Sequence, residues 1–335
     1  MNIAQIARRA NVSTATVSRT LNQSGPVKPA TARRVWRAVS ALNYHPNSHA
    51  RALVSGRSRL IGLIVSDITN PFFPELIRSF ERMAAQQQYD LLVTSTDYQT
   101  ARMTACLRRM LERKVDGIAM MTSEMDVGLL KELSRRGVPM VFMDVGHVGP
   151  KMSHVSMAYG SGIQQAVDHL VELGHKRIAF ISGPLDLHSA RTRRQAFLEG
   201  MRKHGLKPDP ALVREGTHTA EGGQKVMAAL LRSKKLPTAV VASNDWTAIG
   251  ALHAIHAAGL RVPLDISLVG FDDIPLVSYT TPALTTVRMS AAEVGATAFE
   301  ALFSLIGGDR LEGDTYQVPT KLVIRDSTRR LVPRR

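Results

Sequence analysis

The sequence is poor in the features that define several large classes of protein. Cys106 is the single cysteine among 335 residues, so no internal disulfide can form, and its thiol is expected to be a small buried hydrophobic group. No stretch approaches the roughly 18 consecutive apolar residues of a membrane span, and no export signal opens the sequence. We therefore expect a cytoplasmic protein that makes no contact with a membrane.

Acidic residues are missing from the first fifth of the sequence. No Asp or Glu precedes Asp67, whereas ten Lys and Arg residues lie before it. The formal net charge is +15, and the rest of the sequence, with 33 basic against 28 acidic residues, carries about +5 of it. Charge concentrated in this way favours a polyanionic partner, because each neutralised phosphate releases condensed counterions. A disordered basic tail would show the same charge and is the alternative.

The common catalytic and cofactor-binding motifs are also missing. There is no P-loop, His-Glu-x-x-His, Cys-x-x-Cys or Gly-x-Ser-x-Gly string. The nearest string to a dinucleotide loop, Gly160-Ser-Gly162, has Gln165 in place of the third glycine. The pair Asp272-Asp273 has no third metal ligand spaced nearby. We expect no enzyme activity, no bound metal and no cofactor.

The basic segment has the apolar periodicity of three short helices. Asn11-Val12-Ser13 interrupts the first run, and Pro29 suits the first turn of the third helix. Residues 1–46 are therefore predicted to fold as an all-α helix-turn-helix head. The apolar positions that mark the helices are Ile3, Ile6, Ala7 and Ala10; Val17 and Leu21; and Ala32, Val35, Trp36, Val39 and Leu42.

The second predicted helix carries residue types that read DNA bases. A helix in the major groove presents the residues near its start to base edges. Ala15 and the methyl of Thr14 suit a thymine methyl, and Arg19 can donate two hydrogen bonds to guanine. Any one of these positions could be an ordinary solvated helix position, so the prediction depends on the set. The predicted contacts are Thr14, Ala15, Ser18 and Arg19 for bases, and Thr16 and Asn22 for phosphates.

Residues 47–58 connect the head to the rest of the chain. Ala50 and Leu53 fall on one helical face between Pro46 and Gly56, but an isolated helix of about nine residues is marginal in water. We expect this segment to become helical only when DNA or a partner chain orders it. A plain linker is the alternative.

From Arg59 onward, apolar strands alternate with amphipathic helices, and the alternation restarts after residue 158. The segments 58–65 and 176–182 are similar and open two comparable units. Residues 59–335 are therefore predicted to form an α/β core of two lobes, each built on a doubly wound parallel sheet.

Three aspartates, Asp67, Asp144 and Asp272, directly follow predicted strands. Because such sheets bind ligands beyond the carboxyl ends of their strands, these residues are expected to face a cleft between the lobes. Carboxylates accept hydrogen bonds from hydroxyls, Arg193 donates through a fork, and Phe72 offers a flat apolar wall. That mixture suits a sugar. Each aspartate could alternatively cap a strand end or belong to a surface turn.

Other interpretations of the two lobes stay open. His188, Arg191 and Arg194 allow an acidic or phosphorylated sugar, although exposed arginines on a helix are the more ordinary explanation. A secreted solute-binding protein would share the lobes but needs an export signal, and an enzyme could use the same fold.

An ordered series of strings resembles the lactose-repressor family of bacterial transcription regulators. The resemblance implies a homodimeric, DNA-binding regulator, most often a repressor, with a core like that of periplasmic binding proteins and a carbohydrate-like effector between its lobes. An activator or dual regulator of the same architecture is the alternative. The matching strings are 2–22, 42–47, 67–73, 115–117, 173–175, 244–245, 269–273 and 282–286.

The resemblance also implies lobe boundaries and binding residues. We expect one lobe from residues 59–158 and 287–318, and the other from 159–286 and 319–329. Two hinge helices would pair in the minor groove of a roughly palindromic operator, with Leu53 as the wedge between base pairs. The implied hinge contacts are Asn47, Ala50, Arg51 and Leu53. The implied effector contacts are Asp67, Asn70, Phe72, Phe73, Asp144, Ser189, Arg193, His218, Asn244 and Asp272.

Three residues of the head depart from the usual family pattern. Gln5 and Arg34 stand where many members carry an acid, and Lys28 replaces a hydroxyl residue before the third helix.

Overall fold

A computed structural model describes residues 2–22, 25–44, 56–122, 127–144, 148–308 and 311–331. The chain divides into two compact units, Met1–Ser58 and Arg59–Arg335. The predicted hinge helix, with Asn47, Ala50, Arg51 and Leu53, lies outside the described residues. No helix among the described residues is both long enough and apolar enough to cross a lipid bilayer.

The head consists of α1 (Ile3–Ala10), α2 (Thr14–Asn22) and α3 (Pro29–Ala41). Asn2 caps α1 by accepting from the Gln5 backbone N–H, and the Gln5 side chain accepts from the Asn2 backbone N–H in return. Gln5 therefore completes the cap of α1, although many members of the resembled family carry an acid at this position. Asn11 ends α1 in the left-handed region at φ 50°, which lets the chain turn sharply into α2.

The core of the head confirms the predicted periodicity except at Trp36. Trp36 was predicted on the apolar face of α3, but its side chain is 46% exposed. The buried face of α3 is formed by Val35, Ala38 and Val39, at a spacing of three and four residues. Trp36 follows Val35 directly and so lies about 100° around the helix from it.

The first lobe is built on a six-stranded sheet in which every pair of strands is parallel. The strand order is β11-β5-β4-β3-β1-β2. Its strands are β1 (Leu60–Val65), β2 (Asp90–Ser95), β3 (Gly117–Met121), β4 (Met140–Met143), β5 (Met152–Met157) and β11 (Thr315–Val318). Its helices are α4 (Phe72–Gln86), α5 (Thr100–Glu112), α6 (Val127–Arg135) and α11 (Ala291–Gly307).

The second lobe repeats this plan with the order β12-β10-β9-β8-β6-β7. One edge strand departs from the predicted parallel arrangement, because β12 runs antiparallel to β10. The strands are β6 (Ile178–Ser182), β7 (Val213–Glu215), β8 (Ala239–Ala242), β9 (Ser267–Asp272), β10 (Thr285–Arg288) and β12 (Lys321–Val323). The helices are α7 (Tyr159–Glu172), α8 (His188–Lys203), α9 (Ala220–Leu231) and α10 (Asp245–Ala257).

The chain passes between the lobes three times, from β5 to α7, from β10 to α11 and from β11 to β12. The second passage lies later than expected, since Val287 and Arg288 pair with β9 and belong to the second sheet. The expected boundary at 286/287 is therefore two residues too early. α11 packs on the first lobe, where Ala292 O accepts a hydrogen bond of 2.7 Å from Ser79 Oγ.

Candidate functional sites

The first candidate site is the exposed face of α2 in the head. Thr14, Ala15 and Arg19 are exposed, and Thr16 and Ser18 are half-buried. Val17 is fully buried and fixes which face of the helix is outward. The predicted base-contact residues therefore share the accessible side of α2. The side chain of Asn22 lies outside the described part of the structure.

A basic groove runs beside this face, between the starts of α2 and α3. It is lined by Arg19, Lys28 and Arg34 together with the hydroxyls of Ser13 and Thr16. The head has no acidic residue to neutralise these cations. Hydroxyl and cationic donors on one groove suit the oxygens of a phosphate backbone.

The second candidate site is a cavity between the two lobes. Elements of both sheets converge on it, including the starts of α4 and α8 and the ends of β4 and β9. The space inside measures about 40 Å³, enough for a few water-sized spheres, so a sugar would have to part its walls. The lining residues are Ser66, Asn70, Phe72, Phe73, Tyr98, Met143, Asp144, Tyr159, Ser189, Arg193, His218, Asn244, Asp272 and Met289.

Arg193, on α8, is the buried cation of this cavity. Its guanidinium carbon lies 4.4 Å from the ring centroids of both Tyr159 and Phe271, and Nη1 donates to Ser243 O at 2.8 Å. Nη2 is 3.9 Å from Asp272 Oδ1, which is an ion pair without a hydrogen bond. Its Nε is buried and has no hydrogen-bond partner. Arg193 is thus held by two ring faces and one hydrogen bond, and its buried Nε is left without a partner.

Two carboxylates face the same cavity from opposite lobes. Asp272 ends β9 with φ 113°, and its burial raises the pKa to about 7 even though Arg193 opposes the shift. Asp144 follows β4 with φ 64° and accepts a 2.7 Å hydrogen bond from Tyr159 Oη. Burial, with Asp144 nearby, raises the pKa of Tyr159 well above 10.0, so this phenol stays a donor. Backbones held at positive φ aim both aspartates at the cleft.

His218 forms another wall. Burial, together with the nearby positive charge of Arg193, lowers its pKa to about 3, so the ring is neutral at physiological pH. The backbone O of His218 accepts from Asn244 Nδ2 at 3.1 Å, while Asn244 Oδ1 accepts from Thr247 N and caps α10. Its Nε2 is buried and has no hydrogen-bond partner. A Cβ on Gly183 would lie 1.9 Å from that nitrogen, so glycine is needed beneath the ring.

Comparison with known proteins identifies the family. Residues 2–47 match the model "Bacterial regulatory proteins, lacI family", and residues 167–328 match "Periplasmic binding protein-like domain". The chain is 34% identical to the transcriptional repressor PurR of Aliivibrio salmonicida, across 98% of this chain and 99% of that one. The chain belongs to the lacI family.

Two further relatives each match nearly the full length of this lacI-family chain. The ribose operon repressor of Halalkalibacterium halodurans is 36% identical across 98% of this chain and 97% of the relative. A crystal structure of the lac repressor dimer, bound to operator and the anti-inducer ONPF, superposes with a TM-score of 0.88 at 30% identity. That match covers 98% of this chain and 99% of the lac repressor chain.

The fold of this lacI-family chain brings nine of the ten expected effector residues to the cavity. Asp67 is the exception and must be corrected. Its Oδ1 accepts from the Thr69 backbone N–H at 2.8 Å and from Thr69 Oγ1 at 2.7 Å, so it builds a turn after β1. The surface-turn alternative therefore applies to Asp67.

Several lining residues were missed from the sequence. They are Ser66, Tyr98, Met143, Tyr159 and Met289. Ser66 and Met143 each lie beside a predicted residue at a strand end, a neighbourhood that could have signalled them. Tyr159 follows β5, whose mixture of polar and apolar residues is not an apolar run, so its approach to the cleft had no sequence signal.

Two acids near the cavity have structural roles. Asp273 accepts hydrogen bonds of 2.6 Å from both Arg288 Nε and Arg325 Nη2. Asp245 is fully buried, where burial raises its pKa, and its oxygens accept from Thr286 Oγ1 and Ile274 N. No cluster of His, Cys, Asp and Glu among the described residues has the composition of a metal site.

Proposed function

We propose that this chain is a transcription repressor that binds a roughly palindromic operator as a homodimer. A small carbohydrate-like effector, bound between its lobes, would control the operator affinity. The names of the two repressor relatives and the operator-bound lac repressor dimer support this proposal. An operator-binding protein would act in the cytoplasm, where bacterial DNA lies.

The observation that carries effector control is the buried polar cluster of the cleft. Arg193 and Asp272 come from the second lobe, whereas Asp144 and Phe72 come from the first. Arg193 Nε and His218 Nε2 are buried without partners, and unpaired polar atoms of this kind destabilise a protein unless a ligand satisfies them.

A ligand that contacts both lobes favours one arrangement of the lobes over others. Only such a difference in affinity can shift a conformational equilibrium, and the effect is reciprocal, so the operator must change effector affinity by the same factor. The expected hinge segment, 47–58, directly precedes the first lobe in sequence and would carry the change to the head.

The test compares Arg193→Ala with Arg194→Ala. Arg194 is exposed on the same helix and is a matched control of equal charge and size. Arg193→Ala should bind operator as wild type does without effector, measured by fluorescence anisotropy. Its effector affinity, measured by calorimetry, should fall by about 1–3 kcal/mol, which is roughly 5- to 150-fold. Full effector affinity in a folded Arg193→Ala protein would contradict the proposed site.

DNA selection tests the other half of the proposal. Because two recognition helices related by a two-fold axis read two half-sites, selected sequences should be inverted repeats protected on both halves. Recovery of single asymmetric half-sites, or of no sequence, would contradict it. Placing the selected site before a reporter promoter separates repression from activation.

A further inference from the structure

We infer that the effector is an uncharged polyol and that the cleft discriminates against sugar acids and sugar phosphates. This inference rests on the proposed function and names the ligand class of the same site. The sequence left both classes open, and the arrangement of charge around the cavity distinguishes them.

Above pH 7, where Asp272 with its pKa of about 7 is mostly ionised, the anionic groups of the cavity outnumber its cation. Asp144 and Asp272 line it from opposite lobes, and among its described lining residues Arg193 alone carries a positive charge. The Arg193 guanidinium already contacts two ring faces, Ser243 O and Asp272. A phosphate or carboxylate in the cavity would lie beside two carboxylates, and like charges brought together without solvent weaken binding strongly.

The other basic residues of α8 do not supply the missing charge. Arg191 is exposed, and its Nη1 donates to Leu185 O at 2.8 Å and to Asp186 O at 2.7 Å, outside the cavity. Arg194 and His188 are exposed as well, and none of the three lines the cleft. The basic cluster of the sequence is therefore an outer helix face, which removes the reason to expect an acidic ligand.

One feature of the cavity favours anions, but its effect is weaker than that of the two carboxylates. α8 begins at His188 without a side-chain cap, and its second residue, Ser189, lines the cavity, so the amino end of the helix presents a positive dipole there. That dipole is equivalent to roughly half an elementary charge. It offsets part of one carboxylate and does not reverse the sign of the site.

Hydroxyl groups match the atoms that the cavity offers. An alcohol oxygen can accept a hydrogen bond from Arg193 Nε while its O–H donates a hydrogen bond to a carboxylate, so one hydroxyl pairs with both groups. The neutral His218 ring can donate or accept at its unpartnered Nε2. Phe72 and Phe73, whose rings meet edge to face at 5.4 Å, provide an apolar wall for the C–H face of a sugar ring. A small polyol satisfies each of these groups without adding charge.

The experiment measures binding of matched ligands to the full-length protein by calorimetry at about pH 8. The probes are D-ribose, ribonate and ribose 5-phosphate, and D-glucose, gluconate and glucose 6-phosphate. In the series that binds, the neutral sugar should bind on the order of 100-fold more tightly than its charged relatives. The same ligands are then added to the protein–operator complex to measure their effect on operator affinity.

A charge-neutral variant tests the cause. Asp144→Asn should weaken binding of the neutral sugar. It should also reduce the ratio of neutral-sugar affinity to charged-sugar affinity at least about tenfold, because one repulsive carboxylate is gone. Asp186→Asn, in the exposed turn before α8, is the control and should leave this affinity ratio unchanged. An unchanged affinity ratio in Asp144→Asn would show that the carboxylates do not cause the discrimination.

The remaining outcomes separate this inference from the proposed function. Tighter binding of a phosphate or an acid, with a change in operator affinity, would overturn the polyol assignment and leave effector control standing. Equal binding of neutral and charged members would overturn the assignment as well. Failure of every probe to bind would count against both the polyol assignment and a carbohydrate-like effector, while operator selection would still test DNA binding.

Discussion

Replacing Asp272 with asparagine should make the stability of the second lobe less sensitive to pH. Burial raises the pKa of Asp272 from 3.8 to about 7 in the folded chain. Between about pH 4 and pH 7 the folded state therefore retains a proton that the unfolded chain has released, and the free energy of unfolding falls as the pH rises. Below that window the carboxyl is neutral in both states, and above it the full destabilisation is present.

The magnitude follows from the size of the pKa shift. A difference of about three pKa units, at roughly 1.4 kcal/mol for each, corresponds to about 4 kcal/mol lost across the window. Asparagine has nearly the same shape and cannot ionise, so Asp272→Asn should be more stable than wild type above pH 7 by up to that amount. Arg193 keeps its hydrogen bond to Ser243 O and its contacts with two rings, so the substitution leaves it supported.

Urea unfolding at about pH 5 and pH 8 measures this effect. Trp246 lies in the first turn of α10, so its fluorescence reports on the second lobe, and Trp36 in the head is the only other tryptophan in the sequence. The comparison includes Asp90→Asn, at the exposed start of β2, as a control for the loss of one carboxyl. If wild type and Asp272→Asn lost the same stability between the two pH values, the assignment of the titration to Asp272 would be wrong.

Three further predictions concern DNA and packing. Operator affinity should fall on the order of 10³- to 10⁵-fold between about 50 and 200 mM salt if roughly 6–10 phosphates are contacted, and a flat salt dependence would contradict this. Leu53→Ala should weaken specific binding and spare non-specific binding, so an unchanged ratio at matched salt would make Leu53 part of a plain linker. Gly250→Ala would place a methyl 1.8 Å from Ala220 O and should lower the free energy of unfolding by about 1–3 kcal/mol or more, whereas Gly160→Ala, with open space around it, should be tolerated in the same urea assay.

Elements with a clear local pattern of apolar residues could be predicted from the sequence, and elements shaped by distant contacts could not. β3, β6 and β8 are buried at every position, and they appear in the sequence as short apolar runs. β5 alternates buried and half-buried residues and includes Ser153, His154 and Ser156, so it lacked that signal. β7 has three residues at a sheet edge, too few to show a period.

The residues of the candidate site also include some that could be predicted from the sequence and some that could not. The position of Asp272 beyond a parallel strand follows from a general property of such sheets, so it could be predicted. Asp67 also follows a parallel strand, but its carboxylate accepts a hydrogen bond from the hydroxyl of Thr69, two residues later. This local hydrogen bond holds Asp67 in a turn away from the cavity. The contact of Arg193 with Tyr159 and Phe271 joins three distant segments, and no local pattern reports it.

The three passages between the lobes have a consequence for how the chain is made. The last strand of the first sheet, β11, and the last strand of the second, β12, lie within residues 315–323. During synthesis neither lobe can acquire its complete sheet until that stretch has left the ribosome, although more than half of each lobe has been available since long before. Until then β5 and β10 each present an unpaired edge, and such edges are the surfaces through which nascent chains aggregate. A chain released before Thr315 would therefore carry two incomplete sheets rather than one finished lobe and one unfinished lobe.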